Sequence, residues 1–195
     1  METLKRYASV SRITNETDIS IKINLDDSTF CKISTGIGFF DHMLTALSKH
    51  SEIGLEILAK GDLEVDCHHT IEDVGIVLGK SFKDALKSMT NIARYGSAYI
   101  PMDEALGFVS LDISNRPFLK FDVTFKNERI GDMDTQMVEE FFRAFAFNAG
   151  ITLHISAPYG SNDHHIAEAI FKAMAHALKI AIVETDTILT TKGVI

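Results

Sequence analysis

Two copies of a His-His-x-x-Glu pattern are the residues of this sequence whose types and spacing point most directly to chemistry. The first copy is His68-His69-Thr-Ile-Glu72, and the second is His164-His165-Ile-Ala-Glu168. On a helix, residues three and four apart share a face, so each glutamate can lie beside one of its histidines. Imidazole together with carboxylate suits manganese, iron or zinc. The two copies therefore predict a dimetal enzyme.

The adjacent histidines of each copy point in different directions, because successive residues of a helix lie about 100° apart around its axis. Each pair is expected to serve two different metals, or one metal and a neighbouring surface. Asp66 and Asp163 precede the pairs and are candidates to orient a ligand imidazole. His42 follows the Gly36-Ile-Gly turn at a predicted helix start, and we interpret it as a further ligand.

Other kinds of site fit these residues less well. A zinc peptidase would need His-Glu-x-x-His or His-x-x-Glu-His, whereas Glu72 is followed by Asp73 and Glu168 by Ala169. No glycine-rich dinucleotide fingerprint and no P-loop occurs. A single His pair at a helix start is more often a cap or a surface feature, and it is the second copy that favours metal binding.

The remaining histidines and three cations are weaker candidates. His50, His154 and His176 belong to no such pattern, and from the residues alone they are interpreted as structural. The candidate anion binders stand in turn-like contexts at the ends of predicted elements: Arg94, Arg116 and Lys192. Each of these cations, taken alone, is more often a solvated surface charge.

The spacing of apolar residues predicts the elements that hold these side chains. Three strands, a helix, a strand and a long helix follow one another in the first half, and the same order recurs in the second half. The predicted strands are 7–14, 19–25, 30–34, 54–58, 99–102, 107–113, 118–125 and 151–155, and the predicted helices are 39–51, 69–89, 135–148 and 164–182.

A shift of 96 residues places the first His-His-x-x-Glu on the second and carries the following helix with it. Upstream, Phe39-Phe40 beside Asp41-His42 has a counterpart in Phe141-Phe142 behind Glu139-Glu140, at a slightly different offset. Such self-similarity predicts an internal duplication.

No linker rich in Pro, Gly or Ser separates the two copies. We therefore expect residues 1–195 to form a single domain of two repeats, about 1–93 and 94–195, with one shared core.

Composition limits the class of protein. A chain of 195 residues with a net charge of −8 does not favour a polyanion-binding surface, which needs clustered Lys and Arg. The sequence begins with polar residues, and no apolar run reaches membrane-spanning length. Cys31 and Cys67 show no CxxC spacing and do not indicate a disulfide framework. We expect a cytoplasmic protein that binds neither nucleic acid nor membrane.

Eight motifs belong together in one order over essentially the whole chain. They are Arg12-Ile-Thr-Asn-Glu-Thr, Gly36-Ile-Gly-Phe-Phe-Asp-His-Met-Leu, Asp66-Cys-His-His-Thr-Ile-Glu-Asp-Val-Gly, Arg94-Tyr-Gly, Pro101-Met-Asp-Glu, Arg116-Pro, Asn162-Asp-His-His-Ile-Ala-Glu-Ala-Ile-Phe-Lys-Ala and Thr191-Lys-Gly-Val. In these motifs the sequence resembles the imidazoleglycerol-phosphate dehydratase family of histidine biosynthesis. The match is very specific.

The resemblance implies an α+β fold of two similar half-domains, each a small, mainly antiparallel sheet with two helices packed on one face. It also implies a lyase that dehydrates D-erythro-imidazoleglycerol phosphate to imidazole-acetol phosphate with two Mn²⁺ ions per active site. The expected assembly is a homo-oligomer of 24 subunits with shared active sites. The expected partner is a small phosphorylated imidazole substrate.

Site residues follow from the same resemblance. The implied metal ligands are His42, His68, His69, Glu72, Glu140, His164, His165 and Glu168. Many family members carry a histidine at the position of Glu140, and a carboxylate can also coordinate manganese. The implied catalytic residues are Glu16, which moves a proton, together with Glu72 and Glu168. The implied substrate- and phosphate-binding residues are Glu16, His42, His50, His68, Glu72, Arg94, Arg116, His164, Lys172, Thr191 and Lys192.

The implied reaction gives two metals a physical purpose. The hydrogen to be removed is on carbon and is not acidic, and no carbonyl stands nearby to stabilise a carbanion. Metals on both ring nitrogens would favour the substrate imidazolate as an electron sink. That anion can expel hydroxide from the adjacent carbon and leave a diazafulvene-like intermediate, which then loses a proton.

Two alternatives remain open at this point. Another dimetal enzyme, such as a metallohydrolase, would use a metal-bound hydroxide and would turn over generic phosphate esters with manganese. A non-catalytic metal-binding cage would need neither Glu16 nor the basic positions.

Overall fold

The chain runs twice through three strands, a helix, a strand and a second helix, and the second pass adds a short two-stranded hairpin before its first helix. A computed structural model describes residues 6–87 and 91–186. The first pass is β1 Tyr7–Ile13, β2 Thr17–Asn24, β3 Cys31–Ser34, α1 Gly38–Ser51, β4 Gly54–Gly61 and α2 His68–Leu86. The second pass is β5 Tyr95–Met102, β6 Ala105–Ile113, β7 Phe118–Asp122, β8 Arg129–Ile130, β9 Met133–Asp134, α3 Gln136–Ala149, β10 Ile151–Tyr159 and α4 Asp163–Ala181.

The two four-stranded sheets have the same topology. Their strand orders are β1-β2-β4-β3 and β5-β6-β10-β7. In each sheet two neighbouring pairs are antiparallel and the last pair, β3 with β4 or β7 with β10, is parallel. The expected α+β fold, with two similar and mainly antiparallel halves, is confirmed. The boundary between the repeats near residue 93 stays a prediction.

The helices join the two halves into one core. Helix α1 of the first half packs on α4 of the second, and α2 packs on α3. Gly75 and Gly79 of α2 permit this approach, since a Cβ added at either would lie within 3 Å of α3 atoms. A single cluster of buried side chains draws on both sheets and all four helices. The metal-ligand candidates on these helices are therefore positioned by packing across the duplication.

Several strand ends differ from the predicted ones, and three of the differences have a local explanation. β5 begins at Tyr95, whereas the predicted strand begins at Tyr99. The prediction missed the first residues because Gly96, where the strand approaches the Ala177 carbonyl, interrupts the apolar pattern. β7 ends at Asp122, after which the chain turns so that the amides of residues 126 and 127 reach Asp163. The two-residue strands β8 and β9 were not predicted, since so short a hairpin has no measurable periodicity.

The match between the aromatic pairs of α1 and α3 was wrong. Both helices have 14 residues and end before a residue in the left-handed region, Glu52 and Gly150. Aligning these ends gives an offset of 98 residues, which pairs His42 with Glu140 and places the two Phe-Phe pairs at different positions. Helix geometry therefore makes Glu140 the equivalent of His42.

Within residues 6–87 and 91–186, no helix is both long enough and apolar enough to cross a membrane.

Candidate metal centres and substrate site

His42, His164 and Glu168 form the group of side chains best placed to bind a metal ion. One ligand atom from each lies within 4.8 Å of the others. The Glu168 carboxylate is 3.6 Å from His42 Nε2 and 3.3 Å from His164 Nε2. His42 comes from the first half of the chain, whereas the other two come from the second. This site is therefore built across the duplication.

Two side-chain caps at helix N-termini position these ligands. Asn162 caps α4 by accepting a hydrogen bond from the His164 amide at 2.9 Å. Asp132, in the turn between β8 and β9, accepts from the amides of Gly38 and Phe39 at the start of α1. A hairpin of the second half thus fixes the first turn of the helix that carries His42.

Glu168 is the most buried member of this group, at 8% relative exposure. Burial acts to raise the pKa of its carboxyl, but the Lys172 ammonium and the two imidazoles outweigh burial, and the pKa lies below its ordinary value. Lys172 Nζ is 2.7 Å from Glu168 Oε1. The carboxylate is therefore ionised at neutral pH and ready to bind a cation.

Further basic groups lie where α1 packs on α4. The rings of His50 and His176 lie 5.6 Å apart, one on each helix. Burial, followed by the charges of Lys172 and His176, lowers the pKa of His50 and favours its neutral imidazole. His154 lies elsewhere, beside the ring of Phe118 on the second sheet.

The equivalent group of the first half is less complete. His68 Nε2 and Glu72 Oε2 lie 3.4 Å apart, and both side chains are 45% exposed. Glu140 occupies the α3 position equivalent to His42, but its carboxylate faces Arg143 Nε at 3.4 Å. Among the described residues, no third ligand closes around His68 and Glu72.

His69 and His165 face away from these two groups. Each ring is steeply inclined to that of its neighbour, at 68° for the first pair and 81° for the second. His69 Nδ1 is hydrogen-bonded to Asp62 at 3.0 Å, and His165 Nδ1 to Glu104 at 2.7 Å. These hydrogen bonds raise the pKa of both imidazoles. A carboxylate at Nδ1 orients the ring and leaves Nε2 for a metal.

Asp62 and Glu104 therefore orient the two imidazoles, a role that was predicted for Asp66 and Asp163. The Asp66 carboxylate accepts instead from the His68 amide, and that of Asp163 accepts from the amides of residues 126 and 127. Proximity in sequence favoured the wrong pair because the orienting acids follow β4 and lie in the β5–β6 turn. Glu104 does stand in a family motif, which was the available signal.

Glu16 and Glu104 occupy equivalent places in the β1–β2 and β5–β6 turns. Glu104 is fixed by the amides of Ser161 and Asn162 as well as by His165. For Glu16, the carboxylate has one partner within the described ranges, His69 Nε2 at 3.8 Å. The first of these glutamates therefore keeps its carboxylate available for other contacts, whereas the second does not.

Arg94 and Arg116 converge on Asp112, away from the metal-ligand candidates. Arg94 is buried and binds both carboxylate oxygens, at 2.6 and 3.1 Å, whereas Arg116 is exposed and reaches one at 3.4 Å. The Arg94 amide donates to the carbonyl of Ala181, the last residue of α4. His164 stands at the opposite end of that helix, about 25 Å away at 1.5 Å per residue. Thr191 and Lys192 lie outside the described residues.

The donor set fits divalent metal ions. Nitrogen and oxygen ligands converge at His42, His164 and Glu168, and the side chains of these two histidines are more than 40% exposed. A surface position leaves room for ligands from outside the chain. Imidazole with carboxylate is a set that manganese, iron and zinc all accept.

Comparisons with known proteins identify the family to which the chain is similar. A model of the family described as imidazoleglycerol-phosphate dehydratase matches residues 35–178. Imidazoleglycerol-phosphate dehydratase from Acetivibrio thermocellus is 56% identical over 195 residues, which is 98% of this chain and 100% of that protein. The protein of that name from Listeria innocua is 53% identical and covers 97% of this chain and 100% of its own length.

Two solved structures are also similar. The imidazoleglycerol-phosphate dehydratase of Staphylococcus aureus has a TM-score of 0.84 and 44% identity, covering 92% of this chain and 99% of that chain. The enzyme of Pyrococcus furiosus has a TM-score of 0.84 and 38% identity, covering 95% of this chain and 100% of that chain. The chain therefore belongs to the imidazoleglycerol-phosphate dehydratase family.

Proposed function

We propose that this chain removes water from D-erythro-imidazoleglycerol phosphate to give imidazole-acetol phosphate, using two Mn²⁺ ions per active site. The observation that carries the proposal is the convergence of His42, His164 and Glu168 within 4.8 Å in a member of a hydro-lyase family. The ionised, buried Glu168 supplies the negative charge that a divalent cation needs.

Bound Mn²⁺ would act as a Lewis acid on the substrate imidazole and favour its anion. The chain's own contribution is to hold its imidazole ligands in fixed orientations. Asp62 and Glu104 orient His69 and His165, whereas Glu72 and Glu168 lie beside His68 and His164. Glu140, at the position equivalent to His42, is the remaining proposed ligand.

We infer that the active site is shared between copies of the chain in a homo-oligomer, with 24 subunits as the proposed number. His69 Nε2 and His165 Nε2 face the hairpin turns of their own halves rather than the two other ligand groups. Of the proposed phosphate ligands, Arg94 stands about 25 Å from His164 along α4. A small substrate cannot bridge that distance, so Arg94 and this metal-ligand group can serve one substrate if they come from different subunits.

Glu16 is proposed to move the proton during elimination. Its carboxylate lies 3.8 Å from His69 Nε2, so a substrate bound at that imidazole would meet it. The side chain is 53% exposed, which leaves it accessible to a small molecule.

The phosphate of the substrate is proposed to bind Arg94, Arg116, Lys172, Thr191 and Lys192, with His50 close to the Lys172 charge. Asp112 holds the first two guanidinium groups in place. Charge-assisted hydrogen bonds of this kind also fix orientation.

Arg116→Ala is expected to weaken substrate binding by about 10- to 100-fold, because hydrogen bonds to charged groups contribute about 1.5–3 kcal/mol. Its exposed guanidinium makes a structural effect small, so bound metal and oligomer size should not change. Steady-state kinetics and metal analysis would measure both effects. A normal KM and a normal kcat would mean that the phosphate site is elsewhere.

The function itself is tested by assaying dehydration of imidazoleglycerol phosphate with Mn²⁺, after removal of metal by chelation, and after Mn²⁺ is restored. We expect activity that chelation abolishes and Mn²⁺ restores. Turnover of generic phosphate esters without dehydration would indicate a metallohydrolase. Bound metal without any turnover would indicate a metal-binding cage.

A further inference from the structure

A buried network beneath the β1–β2 turn has no role in the proposed chemistry so far. Asp73, on α2 and 7% exposed, accepts a hydrogen bond from Thr17 Oγ1 at 2.5 Å and forms an ion pair with Arg12. Arg12 lies on β1 and Thr17 begins β2. One carboxylate on the helix of the first His-His-x-x-Glu copy therefore binds both strands of the hairpin that carries Glu16.

The turn itself adds to this network. Thr14 Oγ1 accepts from the amides of Glu16 and Thr17, at 3.1 and 2.9 Å. The Glu16 carbonyl accepts from the Asp62 amide at 3.1 Å. The backbone of Glu16 is thus held from several sides, although its carboxylate is left open toward His69.

Among the described residues of the second half, this polar network has no equivalent. Aligning the two turns by their strand register places Arg12 on Ile100 and Thr17 on Ala105. Aligning the two helix motifs places Asp73 on Ala169. Ala105 and Ala169 are almost fully buried, and Ile100 packs against the core. The same fold is therefore compatible with three apolar residues at these positions.

The two halves also differ in what their turn glutamates do. Glu104 lies in the turn of the half that has the three apolar residues. Its own carboxylate is fixed by Ser161, Asn162 and His165. Glu16 lacks those contacts, because Asp62 orients His69 in its place. Among the residues that the structure describes, the polar support is found only beneath the glutamate whose carboxylate is left open.

We propose that Asp73, with Arg12 and Thr17, is a positioning residue that holds the Glu16 turn against the metal-ligand helix. This inference rests on the proposed function, since it gives the network a purpose through Glu16. Among the described residues, the Glu16 carboxylate makes no hydrogen bond of its own, since His69 Nε2 lies 3.8 Å away. Its backbone must then be fixed instead, and Asp73 does this from below.

The duplication supplies the variant that tests the proposal. Arg12→Ile, Thr17→Ala and Asp73→Ala together give the first half the apolar set of the second. We expect this triple variant to bind metal and assemble normally, with KM little changed and kcat reduced by about 10- to 100-fold, as small displacements of reacting groups cost. Lys22→Met, which breaks the Lys22–Glu56 ion pair of the same sheet, is the control and should keep normal kcat.

Combination with Glu16→Gln separates positioning from a general structural role. If the triple change acts through Glu16, it should reduce kcat no further in the Glu16→Gln background. A normal kcat in the triple variant, or an equal further loss in that background, would overturn the proposal. If the triple variant fails to fold, Thr17→Val alone removes one donor, and an unchanged kcat would again contradict us.

A second measurement does not depend on activity. The Asp62 amide donates to the Glu16 carbonyl, so its hydrogen exchange reports whether the turn is in place. We expect faster exchange in the triple variant than in the parent protein. Unchanged exchange would refute the positioning role, whereas a parent protein without dehydratase activity would refute the proposed function alone.

Discussion

Glu16→Gln is expected to bind two metals per active site, assemble normally and bind substrate, yet to turn over at least about a hundredfold slower. General acid–base catalysis of this kind contributes about 10²–10⁴-fold. Glutamine keeps the shape and a hydrogen-bonding group but cannot exchange a proton at neutral pH. Glu16 lies on a strand turn, outside both metal-motif helices, so its loss should not remove a ligand. Single-turnover and steady-state kinetics, together with metal analysis, would measure the effect.

Glu104→Gln is the matched comparison, because this residue occupies the same place in the second turn. Its carboxylate binds His165 Nδ1 and two amides of the loop before α4. We expect it to lose metal affinity by about 10- to 100-fold, as partners of metal-binding histidines do. The assignment of Glu16 fails if Glu16→Gln is fully active, or if its activity is lost because its metals are absent.

His69→Ala combined with His165→Ala is expected to lose bound metal and to yield a smaller particle. The Nε2 atoms of these two residues face away from the other ligand groups of the same chain. If each completes a metal site of a neighbouring subunit, removing both breaks the metal centre and the contact between subunits together. Metal analysis and sedimentation velocity would report the two losses on one sample.

Asp62→Asn gives a graded version of the same experiment. It keeps the His69 imidazole but weakens the hydrogen bond that orients the ring. We expect weaker metal binding by about 10- to 100-fold, with assembly restored at high metal concentration. A double histidine variant that keeps full metal content and native size would show that metal and assembly are independent.

The helices and the main strands were predictable because their apolar residues recur at clear spacings. The duplicated His-His-x-x-Glu showed that the order of elements found in the first half recurs in the second. It also indicated that adjacent imidazoles point apart. The identity of the orienting acids was not predictable in this way. Asp62 and Glu104 come from different kinds of loop, so the sequence shift that aligned the helices did not align them.

The anion-binding candidates show the same limit. Arg94 has a turn-like context in the sequence, but its partner Asp112 is on the next strand, and its amide binds the end of α4. The amide contact depends on how α4 lies across the second sheet, and the Asp112 contact depends on the pairing of β5 with β6. Local sequence could indicate that a cation stands at this position, but not that a partly buried carboxylate holds it.

His42 comes from one half of the chain and Glu168 from the other. Since both halves belong to one polypeptide, a single chain supplies this whole ligand group. A hypothetical half-length protein with the same fold could form the group by self-association, and its occupancy would then fall on dilution. Covalent fusion turns that bimolecular step into a unimolecular one, with an effective concentration set by the fold. The three ligands His42, His164 and Glu168 are therefore present in equal numbers and stay together at any protein concentration at which the chain is folded.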